Sequence, residues 1–514
     1  MKKSLFISFI ILLFLNTSAT AQRNINRALN SITKKDLHAH LYFLASDELK
    51  GRGTPGQWLD ISAKYLASEF EKAGLKVAGE NGSYLQKYNL NIYNTTPKNT
   101  EVRIDVMKKK FKPGKKDMFL LLFGITQKKL DFSAPIIFAG YGITSPEHKW
   151  DDYSGIDVKG KVVLVLEGAP WEVDLNVPFG YDKLLGKWIN AAVHGAIGFI
   201  YATPKFGKDE PQSVSFTRAI AGHRSIVRPT EDEKVKLSVP VVVTSFNFID
   251  KVLKKAGKDK AEILYQKMKS TNKSVSFDLE NTTFSLKVKV KPEIKTAYNV
   301  IGILEGRDPV LKKEYVVLSA HFDHEGVGEP VDGDDIYNGA DDNASGTAGI
   351  LEVAYAYNFL TRRERPRRSI LFLLVSGEEL LLFGSGYFSE HPTVSYDKIV
   401  ADLNVDMIGR SPDNSVQIIA PGQNILEKII KNSNRKIKLN ILPDKQPEMR
   451  LIYLSDHYHF ARAGKPIAFF FTGLHPDYHT PKDEIDRINF NTMEKIVKLL
   501  FLSSYNIANY RGKF

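Results

Sequence analysis

From about residue 285 to the C-terminus, apolar runs of five to eight residues alternate with stretches of helical periodicity. The runs Tyr315–Ala320, Ser369–Ser376, Ile399–Met407, Val416–Ala420 and Pro466–Thr472 predict buried strands. Between them, Ser345–Phe359 and Ile425–Asn434 predict helices, and a last helix is expected around Asn491–Tyr505. Strands alternating with helices predict an α/β domain built on a mixed, mostly parallel twisted sheet flanked by helices.

The N-terminal half follows another pattern. Residues 31–76 read as helical, with Gly51-Arg52-Gly53-Thr54-Pro55-Gly56 as a flexible break and a second helix closing at Gly74. Residues 85–130 predict short strands joined by Asn- and Lys-rich turns. Residues 134–280 predict a separate β-rich module, with strands at Pro135–Ala139, Lys161–Leu166, Ala196–Tyr201 and Val239–Val243 and a helix at Lys187–Val193. The expected organisation is therefore 1–21, a leader; 22–133, helices and strands packing on the C-terminal domain; 134–280, an insert; and 281–514, the C-terminal α/β domain.

The leader changes what the composition means. Lys2 and Lys3 precede the apolar run Leu5–Leu15, which is too short to span a bilayer, and Ala19-Thr20-Ala21 is a small-residue cleavage pattern. This predicts an exported protein, periplasmic or extracellular, with no membrane span after cleavage. Export permits disulfides, yet the chain has no Cys. A thiolate nucleophile and a thiolate metal site are thereby excluded. The net charge of +12 comes with Lys108–Lys110, Lys112–Lys116 and Arg362–Arg368. These runs are far apart and lack interleaved aromatics, so they read as solvated loops and no nucleic-acid partner is expected.

Each strong strand of the C-terminal half ends in a polar cluster: His321-Phe322-Asp323-His324, Ser376-Gly377-Glu378-Glu379, Asn404-Val405-Asp406 and Tyr478-His479-Thr480. In an open α/β sheet the carboxyl ends of the strands form the ligand crevice. Histidines and carboxylates brought to one edge are a metal-site pattern. A fifth cluster, Gly339-Ala340-Asp341-Asp342-Asn343-Ala344-Ser345-Gly346, lies where a helix begins.

Taken in order, these clusters resemble the co-catalytic zinc peptidase family that includes bacterial leucyl aminopeptidases and glutamate carboxypeptidase; Ser455-Asp456-His457 is similar to a further family signature. The likeness is strong over about 285–510. The 134–280 module resembles the protease-associated domain, which such peptidases often carry as an insert. The resemblance implies two zinc ions held by His321, Asp342, Glu379, Asp406 and His479, with Asp342 as the bridging carboxylate. It implies Glu378 as general base, Asp323 as the support of His321, and Tyr478 as a phenol for the oxyanion. Five ligands with one shared give three per ion and leave room for a shared water.

Other readings of single residues are weighed at the same time. Asp341 suits a helix cap, and Asp402 shares a strand face with Asp406 but fits the motif less well. His324, His457, His459 and His475 are assigned to supporting or pocket positions, and Tyr453, Leu454, Phe460 and Phe470 to an apolar side-chain pocket. The expected activity is aminopeptidase action on peptide substrates. The alternatives are a carboxypeptidase using Arg410 and Arg450, a one-zinc glutaminyl-cyclase-like enzyme, and a non-catalytic receptor-like module.

Overall fold

The computed structural model describes residues 23–514 apart from 95–98, 115–116, 123–127, 173–182, 207–223, 229–238, 412, 423, 445–450 and 513. The leader expected at 1–21 and Arg450 lie outside the described residues. No described helix is long and apolar enough to cross a membrane.

The chain forms two compact units, one made of residues up to Tyr88 together with Thr296–Phe514, the other of Asn89–Lys295. The first unit holds helices α1 (Lys34–Leu44) and α2 (Gln57–Lys72), and strands β1 (Lys291–Leu304, entering it at Thr296), β2 (Tyr315–His321), β3 (Ser369–Val375), β4 (Ile399–Val405), β5 (Ser415–Ile419), β6 (Asn440–Leu442) and β7 (Ile467–Phe471). Its later helices are α3 (Gly346–Tyr357), α4 (Phe383–Glu390), α5 (Asn424–Ile437), α6 (His457–Arg462) and α7 (Phe490–Asn509).

Among these strands the order in the sheet is β1-β3-β2-β4-β7-β5-β6. Strands β3, β2, β4 and β7 are mutually parallel neighbours, whereas β1 and β5 join antiparallel. Every residue of β3 and β7 is buried. That is why these strands read as unbroken apolar runs: a parallel sheet covered on both faces has no polar side. On one face Val317, Leu371, Leu373, Phe388, Ile399 and Phe460 pack together. Helix α3 packs on β2 and β4, and α7 packs against α3 and α5. Asn489 caps α7 by accepting from the Thr492 amide.

One consequence governs the chemistry. Because β3, β2, β4 and β7 run the same way side by side, the residues just past their carboxyl ends emerge at one edge of the sheet. Those residues are the polar clusters picked out in the sequence.

The second unit is an eight-stranded sheet, with parallel strands Lys129–Ala139, Val162–Leu166, Gly198–Thr203 and Val241–Ser245 running through it. Alternate residues of Val162–Leu166 feed two cores, Val162, Leu164 and Leu166 one and Val163 and Val165 the other. The unit is wider than the 134–280 module. Thr100–Val106 pairs residue for residue with Thr282–Val288 of the strand Ser276–Lys289, so the early strands belong to this sheet. A boundary at 280 would cut that strand in two.

The Gly51–Gly56 segment also differs from expectation. It is a packed turn, not a flexible break: Gly51 and Arg52 are buried, and both have left-handed backbones. A Cβ at Gly51 would lie 2.3 Å from the Tyr337 carbonyl oxygen, so only glycine fits.

Candidate metal centre

Asp342 is the hub. Its Oδ1 lies 3.3 Å from His321 Nε2, which is 3.3 Å from Asp406 Oδ1. Its Oδ2 lies 3.0 Å from His479 Nε2, which is 3.3 Å from Glu379 Oε2. The five residues expected as ligands are therefore together, and the two oxygens of one carboxylate face two separate donor sets. His321 Nε2 and Asp406 Oδ1 are buried and make no hydrogen bond among the described residues. Buried polar atoms without partners are expensive unless something else occupies the space between them. Two nitrogens and three carboxylates, with no sulfur, form a donor set suited to zinc and similar divalent ions.

The local chain explains how Asp342 is placed. Gly339 has φ +56°, and a Cβ there would meet Asp342 O at 2.2 Å. The amides of Asp341 and Asp342 both donate to Asp483, at 3.0 Å for Asp342. Asn343 Nδ2 donates to Val405 O and Asn343 Oδ1 accepts from the Gly346 amide, tying the loop to the end of β4 and the start of α3. Asp341, the possible cap, accepts from the Gly409 amide at 2.6 Å and so holds the turn after Asp406. His479 has φ +54°, a left-handed conformation uncommon for histidine and concentrated at functional sites.

Glu378 and Glu379 diverge as they leave β3. Glu379 joins the second donor set, while Glu378 lies with His321 and Glu379 in a third group of adjacent ligand atoms. The Glu378 carboxyl is held well above the usual carboxylate range: burial is the main cause, opposed by His321 and reinforced by Glu379. The Asp342 carboxyl is pushed well below that range, since His324, His321 and His479 outweigh its burial. Tyr478 stacks on His479 with ring centres 3.7 Å apart, and burial keeps its hydroxyl protonated far above neutrality.

Two assignments change. Asp323 lies beside His321, but its carboxylate does not hold the imidazole. Its Oδ1 is 3.8 Å from His321 Nδ1, which instead lies 3.2 Å from the Asp323 main-chain carbonyl. The carboxylate accepts from Thr54 Oγ1 and from the Gly377 amide, so it positions the turn carrying Glu378. His324 is the second change. Its Nδ1 is 2.7 Å from Glu379 Oε1 and 3.7 Å from Asp342 Oδ2, which puts it among the ligand atoms of the second set.

Three supports were missed. Ser455 Oγ donates to Asp406 Oδ2 at 3.0 Å and accepts from Asn404. Asp483 and Arg52 hold the Asp342 loop. A Ser-Asp-His run hinted at the first; Lys482-Asp483-Glu484 and Gly51-Arg52-Gly53 look like ordinary turn and surface sequences. Asp402 points elsewhere, accepting from Ser319. His457 is buried with its ring nitrogens near Leu451 O and Asn404, and Phe460 and Phe470 are core residues rather than pocket walls.

Comparison with known proteins places this site in context. Residues 299–503 match the model of peptidase family M28. Aminopeptidase YwaD of Bacillus subtilis is 25% identical over 392 residues, covering 74% of this chain and 68% of that protein. The structure of an aminopeptidase from Aneurinibacillus sp. strain AM-1 superposes with a TM-score of 0.58 at 19% identity, over 94% of this chain and 95% of that one. BSAP, a zinc aminopeptidase from Bacillus subtilis, gives 0.53 at 21% identity, over 93% and 95%.

Proposed function

We propose that this chain, which carries a peptidase family M28 domain over residues 299–503, is a zinc-dependent aminopeptidase that removes N-terminal residues from peptides. The observation that carries the reading is the division of Asp342, with Oδ1 toward His321 and Asp406 and Oδ2 toward His479 and Glu379. One zinc would be held by His321, Asp406 and Asp342, the other by Asp342, Glu379 and His479. Zinc at such a site polarises the scissile carbonyl and acidifies water.

The protein's own groups supply the rest. Glu378, buried beside His321 and Glu379 with its carboxyl raised above the usual carboxylate range, takes a proton from the attacking water at its carboxylate oxygen and returns it to the leaving amine. Tyr478 keeps its proton and donates a hydrogen bond to the oxygen on which negative charge develops. Asp323 fixes the Glu378 turn through the Gly377 amide.

A carboxypeptidase would need a free cation for the substrate carboxylate. Of the two cations considered for that role, Arg410 is already paired with Asp477 at 2.8 Å and faces Asp483. Two donor sets around one carboxylate favour two metals over the single metal of a cyclase-like enzyme. We read the second unit as a protease-associated domain, supported by its mixed sheet with flanking helices. We read Met1–Ala21 as an export signal, which mass measurement of a mature N-terminus at Gln22 would support.

The decisive experiment is metal analysis of the purified protein together with a panel of aminoacyl-anilides and N-acetylated peptides. Two zinc ions per chain, cleavage of the free-amine substrates and loss of activity with a chelator are expected. A protein that takes up no metal and cleaves nothing, or that trims acetylated peptides from the carboxyl end, overturns the reading.

A further inference from the structure

Arg52 is wholly buried and donates to four main-chain carbonyls. Nε reaches Phe322 O at 2.8 Å, Nη1 reaches Asn338 O at 2.7 Å and also Leu44 O, and Nη2 reaches Gly339 O at 3.0 Å. These acceptors are not scattered. Phe322 lies between His321 and Asp323. Asn338 and Gly339 open the loop that delivers Asp342. Leu44 ends α1. One planar fork therefore joins the segments that carry His321 and Asp342, two of the three ligands of the first donor set, and fastens both to the N-terminal helix.

The backbone around it is built for this. Arg52 has φ +52° and follows Gly51, also left-handed and too crowded for any side chain. Gly53 bridges to His324, and Thr54 donates to Asp323 at 2.8 Å. A non-glycine residue in this conformation persists only where its surroundings over-determine it. A buried guanidinium is costly, and here its hydrogen bonds go to carbonyls and not to a carboxylate. Its charge instead lies in the field of Asp323, Asp342, Asp483 and Glu379. Such an arrangement offsets the mutual repulsion of clustered carboxylates before metal arrives.

We propose that Arg52 is a positioning residue for the metal centre: its four-carbonyl fork presets the His321 and Asp342 loops, so that metal affinity depends on the guanidinium geometry. This rests on the metallopeptidase reading, and the test separates the two. Zinc affinity is measured by chelator competition on the full chain and on the variants Arg52→Lys and Arg52→Met, with circular dichroism confirming the fold. The visible spectrum of each cobalt-loaded protein reports ligand geometry.

Lysine keeps the charge but cannot reach four carbonyls in a plane. Both variants are therefore expected to fold, to bind zinc about 10- to 100-fold more weakly, and to give altered cobalt spectra. An unmodified protein that binds no metal would overturn both the function and this inference, whereas one that binds zinc but cleaves no peptide would overturn the function alone. Wild-type affinity and spectrum in Arg52→Met would overturn the inference. So would full recovery in Arg52→Lys, which would assign the effect to charge alone, or failure of both variants to fold, which would assign Arg52 to the fold.

Discussion

Arg52 and Asp483 grip the same loop by opposite chemistry. The Arg52 guanidinium takes the carbonyls of Asn338 and Gly339, and the Asp483 carboxylate takes the amides of Asp341 and Asp342. Between them the loop has little freedom, and Asp342 emerges with one oxygen toward each donor set. Replacing Asp483 by Ala leaves two buried amides without acceptors. Each such loss costs about 1–3 kcal/mol. A lower thermal unfolding midpoint of the metal-free protein, with weaker zinc binding, is expected. An unchanged midpoint and unchanged zinc binding would refute this role.

Glu378 and Glu379 are neighbours with different tasks. Glu378→Gln should lower kcat by about 10²- to 10⁴-fold, the range of general acid–base catalysis, with zinc content unchanged. Glu379→Gln should instead lower zinc content. Metal analysis beside steady-state kinetics distinguishes the two, and loss of metal in Glu378→Gln would reverse the assignment.

Most of the centre was legible because strand-end geometry is encoded locally. An apolar run followed by His, Glu or Asp marks where a buried parallel strand meets the crevice, and β2, β3 and β4 each carry that signal. Arg52 and Asp483 were not legible. Their roles depend on main-chain groups of distant loops, and a main-chain acceptor leaves no mark on the sequence. The partner of His324 was not legible for a related reason: nothing in His321-x-Asp323-His324 says that the chain turns enough to bring the second imidazole to Glu379. Strands Thr100–Val106 and Met118–Leu121 belong to the second unit because they pair with 282–288 and 241–244, long-range choices that local sequence does not encode.

The place of His324 can be tested directly. Burial is the main force pushing its imidazole well below the usual histidine range, and its Nδ1 lies 2.7 Å from Glu379 Oε1. His324→Ala should weaken zinc binding at one of the two sites by about 10- to 100-fold and leave the other intact. Equal weakening at both sites in a two-step titration would place His324 in a general structural role.

The two pocket candidates left at odds by the structure separate cleanly. Phe470 is fully buried on β7, whereas Tyr453 is 56% exposed. Phe470→Ala should destabilise by about 3–5 kcal/mol through the cavity it leaves, without altering side-chain preference. Tyr453→Ala should leave the unfolding midpoint within error. A changed ranking of aminoacyl-anilides in Phe470→Ala, corrected for the folded fraction, would return that residue to the pocket.

Metal loading should depend on pH with a definite sign. In the metal-free protein the imidazoles of His321 and His479 are held well above the usual histidine range. Burial opposes this, but Asp406 and Glu378 around His321, and Glu379 and Glu325 around His479, outweigh it. A histidine raised in this way adds stability below its unfolded pKa of about 6.5, and that contribution is lost as pH rises through the folded value. Zinc requires the neutral rings, so it must displace these protons. Zinc affinity should therefore climb as pH rises from about 6 to about 8, and the zinc-induced rise in unfolding midpoint should climb with it. Calorimetry of zinc binding in two buffers of different ionisation enthalpy counts the protons directly. A heat independent of the buffer would mean that no proton leaves, and that the carboxylates around His321 and His479 do not hold the rings in the charged form.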